Sequence, residues 1–193
     1  MIPNNAHAMP EETRLTGKLA TLVPFTETHG RRAAYASWLR NPDIVKTLNL
    51  PSYLESPISD DGVRDYYQTM ISSPTDFFFA ILLNKNNQFI GTAKAGHIDF
   101  FARHADIGVM IGEKSLWGMG IATDSLRTLA KFMFYEIDLR RLSAGVMANN
   151  PSMVRVFEKL GFLKEGCFRE QDRLGDLYID HIHLGCLKTE FIK

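Results

Sequence analysis

Apolar residues recur along the chain with two different spacings, and each spacing predicts a different kind of secondary structure. Apolar positions three and four residues apart indicate amphipathic helices, whereas alternating or short continuous apolar runs indicate strands. We predict strands over residues 18–25, 76–83, 88–100, 104–112, 141–148, 162–172 and 177–187. We predict helices over residues 27–40, 59–71 and 150–160, and a central helix whose buried face carries Leu126, Leu129, Ala130, Met133 and Phe134.

Strands and helices do not alternate regularly in this prediction. The order is β-α-α-β-β-β-α-β-α-β-β, in which three strands follow one another with no helix between them. Strands joined by short turns, such as Asn86-Asn87, pair antiparallel. The order therefore predicts an α/β or α+β fold with a mixed sheet of about seven strands, and it argues against a doubly wound parallel sheet.

A single domain accounts for most of the chain. The 193 residues contain neither a Gly/Ser-rich linker nor an internal repeat, and this length suffices for one sizeable core. We predict a flexible leader over residues 1–16 and one domain over residues 17–193. The leader lacks the apolar core of a secretory signal, and no apolar run approaches the ~20 residues that span a bilayer.

Composition and charge narrow the classes of partner. The chain has 22 Lys+Arg and 22 Asp+Glu, so its net charge is zero at pH 7. Without a positive field, we expect neither a nucleic acid nor a membrane as a partner. Cys167 and Cys186 form no disulfide framework and indicate a reducing, cytoplasmic setting. No metal is predicted, because His181 and His183 lack further ligands at metal-binding spacing.

The segment from Trp117 to Thr123 carries the strongest candidate chemistry. Gly118 and Gly120 lie one residue apart, directly before the central helix. Glycine adopts positive φ values that leave amide N–H groups pointing outward, and a helix start carries partial positive charge. These properties predict a phosphate or pyrophosphate site. The turn has neither the GK[ST] ending of a P-loop nor the third glycine of a dinucleotide fingerprint.

Together with its neighbours, this turn resembles a known superfamily. The stretch DIGVMIGEKSLWGMGIATDSL, followed about thirty residues later by NPSMVRVFEKLGF, is similar to the GNAT superfamily of acetyl-CoA-dependent N-acetyltransferases. The upstream segment WLRNPDIV is similar to the branch that contains the RimJ and RimL ribosomal-protein acetyltransferases. The similarity covers residues 19–187, which is nearly the whole chain.

The resemblance implies a GNAT-type fold, with helices on both faces of the sheet and a gap between two parallel central strands. The pantetheine arm of coenzyme A lies in that gap, so acetyl-CoA is the implied cosubstrate and an amine is the implied acceptor. Ser115 stands where the wider superfamily often has Gln or Arg. The implied acetyl-CoA-binding residues are Val109, Met110, Ile111, Ser115, Trp117, Gly118, Met119, Gly120, Ile121, Ala122, Thr123, Asn150, Phe157 and Lys159.

Acetyl transfer needs a neutral amine, and an amine with a pKa near ~10 is mostly protonated at neutral pH. Asp106 is our candidate base, because it begins the implied ligand-holding strand, where related enzymes can place a glutamate. Asn150 and Ser152 are further catalytic candidates, although Met153 occupies the usual position of the family serine. The alternative bases are His97, Glu170, Asp172 and Asp180.

The leaving group needs less help than the amine. Many relatives place a tyrosine acid at the position of Phe157, which cannot donate a proton. A thiolate leaves readily, since thiol pKa values lie near ~8.5. We therefore expect direct attack of the amine on the thioester in a ternary complex, without an acyl-enzyme. Cys167 as a covalent nucleophile is the weaker alternative, because no base lies beside it in sequence.

Two classes of function stay open at this point. One is an N-acetyltransferase whose acceptor is a protein N-terminus, an amino sugar or its nucleotide, or a small amine. The other is an acyl-CoA-binding regulatory module with little or no turnover. A homodimer is a further option, since the final strand is a candidate pairing edge.

Overall fold

A mixed sheet forms the centre of the molecule, whose computed structural model describes Met9, residues 12–48 and residues 52–193. Its strands are β1 Leu15–Thr16, β2 Ala20–Pro24, β3 Phe77–Leu83, β4 Phe89–Asp99, β5 His104–Ile111, β6 Arg141–Met147, β7 Leu163–Leu174 and β8 Leu177–Leu187. Their order in the sheet is β1-β2-β3-β4-β5-β6-β8-β7. The β5–β6 pair is parallel and the other neighbours are antiparallel, so the predicted mixed, mostly antiparallel sheet is confirmed.

The helices lie between these strands in chain order. They are α1 Glu27–Gly30, α2 Ala33–Arg40, α3 Pro42–Val45, α4 Ser52–Glu55, α5 Asp60–Ser72, α6 Ile121–Lys131 and α7 Pro151–Glu158. A 3₁₀ turn covers Lys114–Leu116, and a π turn over Phe132–Glu136 extends α6. Within the described ranges, no helix is both long and apolar enough to cross a membrane.

Helices cover both faces of the sheet, as predicted. On one face, α6 and α7 bury Leu126 and Phe157 in the larger hydrophobic cluster. On the other face, α2, α3 and α5 contribute Tyr35, Ile44 and Tyr67 to a second cluster. Because side chains alternate across a strand, a sheet covered on both faces needs continuously apolar strands. The apolar β3, in which every residue from Phe77 to Ile81 is buried, meets this requirement.

The single helix predicted over residues 27–40 is wrong, because the chain forms α1 and α2 instead. The first helix ends at Gly30, which packs so closely on Tyr67 that a β-carbon there would lie 2.5 Å from the ring. Arg32 then has extended geometry, with ψ 130°, before α2 begins. Glycine is a weak helix former, so the bend falls where tertiary packing demands a close approach.

Two residues of the predicted leader belong to the sheet. Leu15 and Thr16 pair with β2 as a short edge strand, so the sheet has eight strands where we predicted about seven. The strand is too short for sequence periodicity to reveal it. Residues 1–8, 10 and 11 of the predicted leader lie outside the described residues.

A gap opens in the middle of the sheet, between the two parallel strands. Pairing covers only residues 104–106 of β5 and 141–143 of β6. Beyond these residues β5 stays paired with β4 as far as Ile111, while β6 stays paired with β8 as far as Met147. The two strands therefore diverge, and the predicted central splay is confirmed.

Candidate active site

One cavity of about 600 Å³ fills the gap between β5 and β6 and continues over the face covered by α2, α3 and α5. The motif residues and the gap therefore meet at one site. The predicted acetyl-CoA-binding or catalytic residues that line this cavity are Val109, Met110, Ile111, Trp117, Gly118, Gly120, Ile121, Ala122, Thr123, Asn150, Ser152, Phe157 and Lys159.

Three predicted site residues lie outside the cavity lining. Ser115 is in the 3₁₀ turn, and Met119 is 60% exposed. Asp106 lies at the point where β5 and β6 part, with its side chain 57% exposed. Its carboxylate accepts a hydrogen bond from the Ser143 hydroxyl and lies 3.4 Å from Nδ1 of His97. The predicted role of Asp106 as the base therefore stays a prediction.

The turn before α6 has the backbone geometry that its glycines predict. Gly118 and Gly120 have φ values of 78° and 81°, in the left-handed region that disfavours other residues. A β-carbon on Gly118 would meet no atom within 4 Å, so this glycine borders open space in the cavity. The Trp117 indole N–H donates to the Ile111 carbonyl at 2.8 Å, which fixes the turn to the end of β5.

Asp124 holds the start of α6 against the sheet edge. Its carboxylate accepts hydrogen bonds from the backbone N–H groups of Lys18, Leu19 and Ala20 at 2.9, 2.8 and 3.1 Å. A β-carbon on Gly17 would lie 2.5 Å from Asp124 Oδ2, so glycine gives the carboxylate room there. The anchored helix start lies directly after the glycine turn, so this contact positions the turn.

A second anchor joins the 3₁₀ turn to the helices on the other side of the cavity. The Asp43 carboxylate on α3 accepts hydrogen bonds from Lys114 in the 3₁₀ turn and from Lys46. These two hydrogen bonds, followed by the charges of the same lysines, lower the pKa of Asp43 to about 2. Asp43 therefore remains ionised at neutral pH and keeps both contacts.

Helix α7 contributes one polar face to the cavity. The Asn150 side chain caps this helix by accepting from the Met153 N–H at 3.2 Å, and its amide donates to the Thr47 carbonyl at 3.3 Å. Residues three and seven positions after Ser152 lie on the same helix face. Ser152, Arg155 and Lys159 accordingly line the cavity together and present two cations to it.

Phe157 belongs to the core as well as to the cavity wall. It is 2% exposed, and its ring lies 5.0 Å from that of Phe162 between centroids. A phenyl ring has no proton to donate, so this position supplies packing and shape to the site.

The far end of the cavity, beyond the gap, has an aromatic and aliphatic lining. Tyr35 and Leu39 from α2, Ile44 from α3 and Tyr66 from α5 form this wall. Burial is the main cause that raises the pKa of both tyrosines, that of Tyr66 to about 12. Both hydroxyls therefore stay protonated at neutral pH and can donate hydrogen bonds, but neither serves as a base.

Among the described residues of this wall, Lys94 on β4 is the only cation. Its Nζ lies 2.9 Å from Asp76 Oδ1, and Gly96 leaves room for the pair. Burial opposes ionisation of Asp76, but hydrogen bonds from Ser73 and Lys94 outweigh it and lower the pKa of that carboxyl. The pair is therefore charged and internally neutralised.

The remaining sequence candidates lie on the β7–β8 hairpin, outside the cavity lining. Desolvation and the nearby Asp180 carboxylate raise the pKa of Cys167, whose sulfur lies 3.6 Å from Asp180 Oδ2. A neutral thiol is a poor nucleophile, which weakens the covalent alternative. Asp180 also accepts from the Glu170 N–H at 2.9 Å, and the His181 ring contacts Asp172.

Sequence reasoning missed the parts of the cavity that come from distant elements. Arg155 carried a usable signal, because its spacing from Ser152 and Lys159 marks one helix face. The aromatic and aliphatic wall at the far end carried none, since Tyr35, Leu39, Ile44 and Tyr66 read as ordinary apolar positions. The missed lining residues are Tyr35, Leu39, Ile44, Thr47, Leu48, Tyr66, Thr92, Lys94, Ile107, Gly108, Leu116, Gly145, Val146, Met153, Arg155 and Val156.

The sequence is similar to those of known proteins. Residues 20–163 match the acetyltransferase (GNAT) domain family. The chain is 33% identical over 125 residues to the probable N-acetyltransferase YjcK of Bacillus subtilis (strain 168), covering 64% of this chain and 68% of that protein. It is 25% identical over 144 residues to the ribosomal-protein-serine acetyltransferase of Escherichia coli (strain K12), covering 75% and 76% respectively.

A solved structure agrees with the fold. The crystal structure of spermidine N-acetyltransferase from Vibrio cholerae in complex with CoA and spermine superposes with a TM-score of 0.78, at 20% identity, and covers 89% of this chain and 97% of that one. The family match spans most of the chain. The chain therefore belongs to the GNAT family and is an N-acetyltransferase, an enzyme that transfers an acetyl group from acetyl-CoA to an amine.

Proposed function

We propose that this enzyme transfers the acetyl group directly from acetyl-CoA to the α-amine of a peptide or protein in a ternary complex. The observation that carries the proposal is a continuous cavity with two different ends. One end is the glycine turn with the cations of α7, and the other is the aromatic wall from α2, α3 and α5. Such a cavity can hold a phosphorylated donor and an organic acceptor together, as a ternary mechanism requires.

The residues present fit acetyl-CoA. N–H groups of the turn from Trp117 to Ala122 would hold the pyrophosphate at the start of α6. Arg155 and Lys159 would add positive charge at the same end. Backbone groups of Met110 and Ile111, on the part of β5 that no longer pairs with β6, would bind the pantetheine amides, much as an added strand does. Gly108, where a β-carbon would meet no atom within 4 Å, borders the space that this arm needs.

The chemistry then follows from the two bound partners. The lone pair of the amine forms a bond to the thioester carbonyl carbon, and the C–S bond breaks to release coenzyme A thiolate. The ammonium proton goes to a base or to water. Because the thiolate is a stable leaving group, positioning and polarisation of the carbonyl carry much of the rate. A covalent acyl-enzyme is not needed.

The lining of the acceptor end favours a peptide α-amine over a polyamine. Among the described residues, the cavity lining contains no carboxylate, and the charge of Lys94 at the acceptor end is neutralised by Asp76. A polyamine would leave its further ammonium groups without a charged partner there, which is unfavourable in a partly enclosed site. A peptide brings one amine and apolar or amide groups that suit the tyrosines. The Escherichia coli relative named for ribosomal-protein serine acetylation is consistent with this choice.

We further propose a cytoplasmic location. Cys167 and Cys186 are both free thiols, and burial first of all raises the pKa of Cys186 to about 12. Free, neutral thiols are compatible with a reducing compartment, in which acetyl-CoA is also present.

A thiol-release assay tests this function. The panel contains acetyl-CoA with a peptide of free N-terminus, the same peptide with a blocked N-terminus, spermidine, and an amino-sugar nucleotide. We expect release of coenzyme A with the free peptide alone, and one acetyl group on its α-amine by mass spectrometry. Tight acetyl-CoA binding without acceleration by any amine would instead indicate the acyl-CoA-binding regulatory module. Faster release with spermidine than with the free peptide would overturn the acceptor assignment.

A further inference from the structure

A histidine–aspartate pair on the β7–β8 hairpin packs against β6, one of the two strands that border the gap. His181 on β8 is 9% exposed, and its Nδ1 lies 2.6 Å from Asp172 Oδ2 on β7. An ionised carboxylate only accepts hydrogen bonds, so Nδ1 of His181 donates to Asp172, and in the neutral ring Nε2 holds the lone pair. A neutral histidine oriented by a carboxylate has the arrangement that general bases use in enzymes.

Nε2 of His181 lies next to Gly145 on β6. A β-carbon on Gly145 would lie only 2.3 Å from His181 Nε2, so the imidazole occupies the space that a side chain would fill there. Gly145 itself lines the cavity. It lies two residues beyond Ser143, the last residue of β6 that pairs with β5. His181 is not itself a lining residue, but its Nε2 lies against Gly145, which lines the cavity close to the narrow end of the gap.

The narrow end is where the thioester belongs if the proposed function holds. The pyrophosphate end of acetyl-CoA is set by the turn from Trp117 to Thr123 at the wide end of the gap. An extended pantetheine arm carries its sulfur away from the pyrophosphate and toward the place where β5 and β6 meet. The reacting carbonyl and the attacking amine then lie near Gly145, which is the position that a base must reach.

An irregularity in the strand pairing of the β7–β8 hairpin places Asp172 next to His181. The pairing register shifts between Phe168, opposite His181, and Asp172, opposite Ile179. Two extra residues on β7 form this bulge, and Glu170 within it has a φ of 53°. Bulges of this kind re-aim side chains and are common beside active sites. The Asp180 carboxylate holds the bulge by accepting the Glu170 N–H.

Resting on the proposed acetyl transfer, we propose that His181, oriented by Asp172, is the general base that takes the proton from the acceptor amine. As the C–N bond forms and the C–S bond breaks, the proton on nitrogen moves to Nε2. The imidazolium then releases it to solvent, and the departing thiolate takes a proton from solvent. The other titratable groups nearby are His183, with its ring 5.0 Å away, and Asp106, which pairs with Ser143 two residues from Gly145 toward the strand junction.

The test compares four variants with the wild type in acetyl transfer to the peptide of free N-terminus. They are His181→Gln, Asp172→Asn, Asp106→Asn and the matched control His183→Gln, each also titrated with acetyl-CoA by calorimetry. We expect kcat to fall about 10²- to 10³-fold in His181→Gln, and less steeply in Asp172→Asn, with the Kd for acetyl-CoA within about twofold of wild type. In the wild type, kcat/KM should fall at low pH because the base becomes protonated. This fall should disappear in His181→Gln and in none of the other variants.

Several results would overturn this assignment. Retention of more than a tenth of the kcat by both His181→Gln and Asp172→Asn excludes His181 as the base. A large loss in Asp106→Asn alone assigns the role to Asp106. If His181→Gln does not fold, Asp172→Asn decides, because this change removes the orienting charge while keeping the side-chain shape. A wild type that binds acetyl-CoA but acetylates no amine refutes the proposed function itself, which distinguishes that failure from the failure of this inference.

Discussion

At the scale of single residues, two glycines give the donor end of the site its shape. Gly118 and Gly120 hold φ values of 78° and 81°, which place N–H groups at the start of α6 without a side chain in the way. The sequence alone predicted this turn, because glycine spacing before a helix is a local signal. The Asp172–His181 contact is different, since it depends on a bulge in β7 that no local pattern announces.

Replacing Gly118 with alanine should weaken acetyl-CoA binding. A non-glycine residue in the left-handed region is disfavoured by roughly 1–2 kcal/mol, so the Kd should rise about 5- to 30-fold. The matched control is Gly166→Ala, because a β-carbon at Gly166 also meets no atom within 4 Å and its φ is not positive. Isothermal calorimetry of both variants checks this expectation, and equal Kd values would contradict it.

At the scale of elements, the site depends on how α6 and α7 are fixed to the sheet. Sequence periodicity predicted both helices and their buried faces, since an apolar stripe is visible in any amphipathic helix. It could not predict the anchoring role of Asp124. In the sequence this residue looks like an ordinary first-turn acid, but its carboxylate accepts hydrogen bonds from three backbone N–H groups more than a hundred residues away. Long-range polar contacts of this kind leave no periodic trace in the sequence.

Removing the Asp124 carboxylate should destabilise the protein. Hydrogen bonds to charged groups contribute about 1.5–3 kcal/mol, so Asp124→Ala should lose at least that much free energy of unfolding. Asp65→Ala, at an exposed helical site, serves as the control and should stay within about 0.5 kcal/mol of wild type. Urea denaturation followed by circular dichroism measures both variants. A loss no larger than that of the control would refute the anchoring role.

The cations of α7 should matter for the donor and not for the fold. Arg155→Ala and Lys159→Ala each remove one positive charge that faces the cavity. We expect the KM for acetyl-CoA to rise about 3- to 10-fold in each, with the difference shrinking in high salt because ions screen the attraction. Lys131→Ala on the exposed side of α6 is the matched control. Initial-rate kinetics at two salt concentrations distinguish charge from packing, since a packing effect would not respond to salt.

At the scale of the whole molecule, the sheet consists of two halves that separate between β5 and β6. The order of elements and the splay could be anticipated, because the motif segments fall on those strands and on the helix between them. The proposed acceptor wall could not, since Tyr35, Ile44 and Tyr66 come from three helices whose packing only the folded chain defines. The proposed donor site thus follows largely from local sequence, and the proposed acceptor site follows from tertiary structure.

Because acetyl-CoA would bridge the two halves, it should stabilise the whole fold. A ligand at a hundredfold its Kd contributes about 2.7 kcal/mol, which for a chain of this size corresponds to a rise in Tm of roughly 5–10 °C. Differential scanning fluorimetry with and without acetyl-CoA checks this. Gly118→Ala at the same acetyl-CoA concentration should show a smaller rise, and an unchanged Tm for the wild type would contradict a site in the gap.

The central claim is acetyl transfer from acetyl-CoA to a peptide α-amine within one cavity. The most direct measurement incubates the wild-type protein with acetyl-CoA and two peptides that differ only in a free or blocked N-terminus, and follows the product by mass spectrometry. We expect one added acetyl group, located on the α-amine of the free peptide, with equimolar release of coenzyme A. Acetylation of neither peptide, while acetyl-CoA binds, would contradict it.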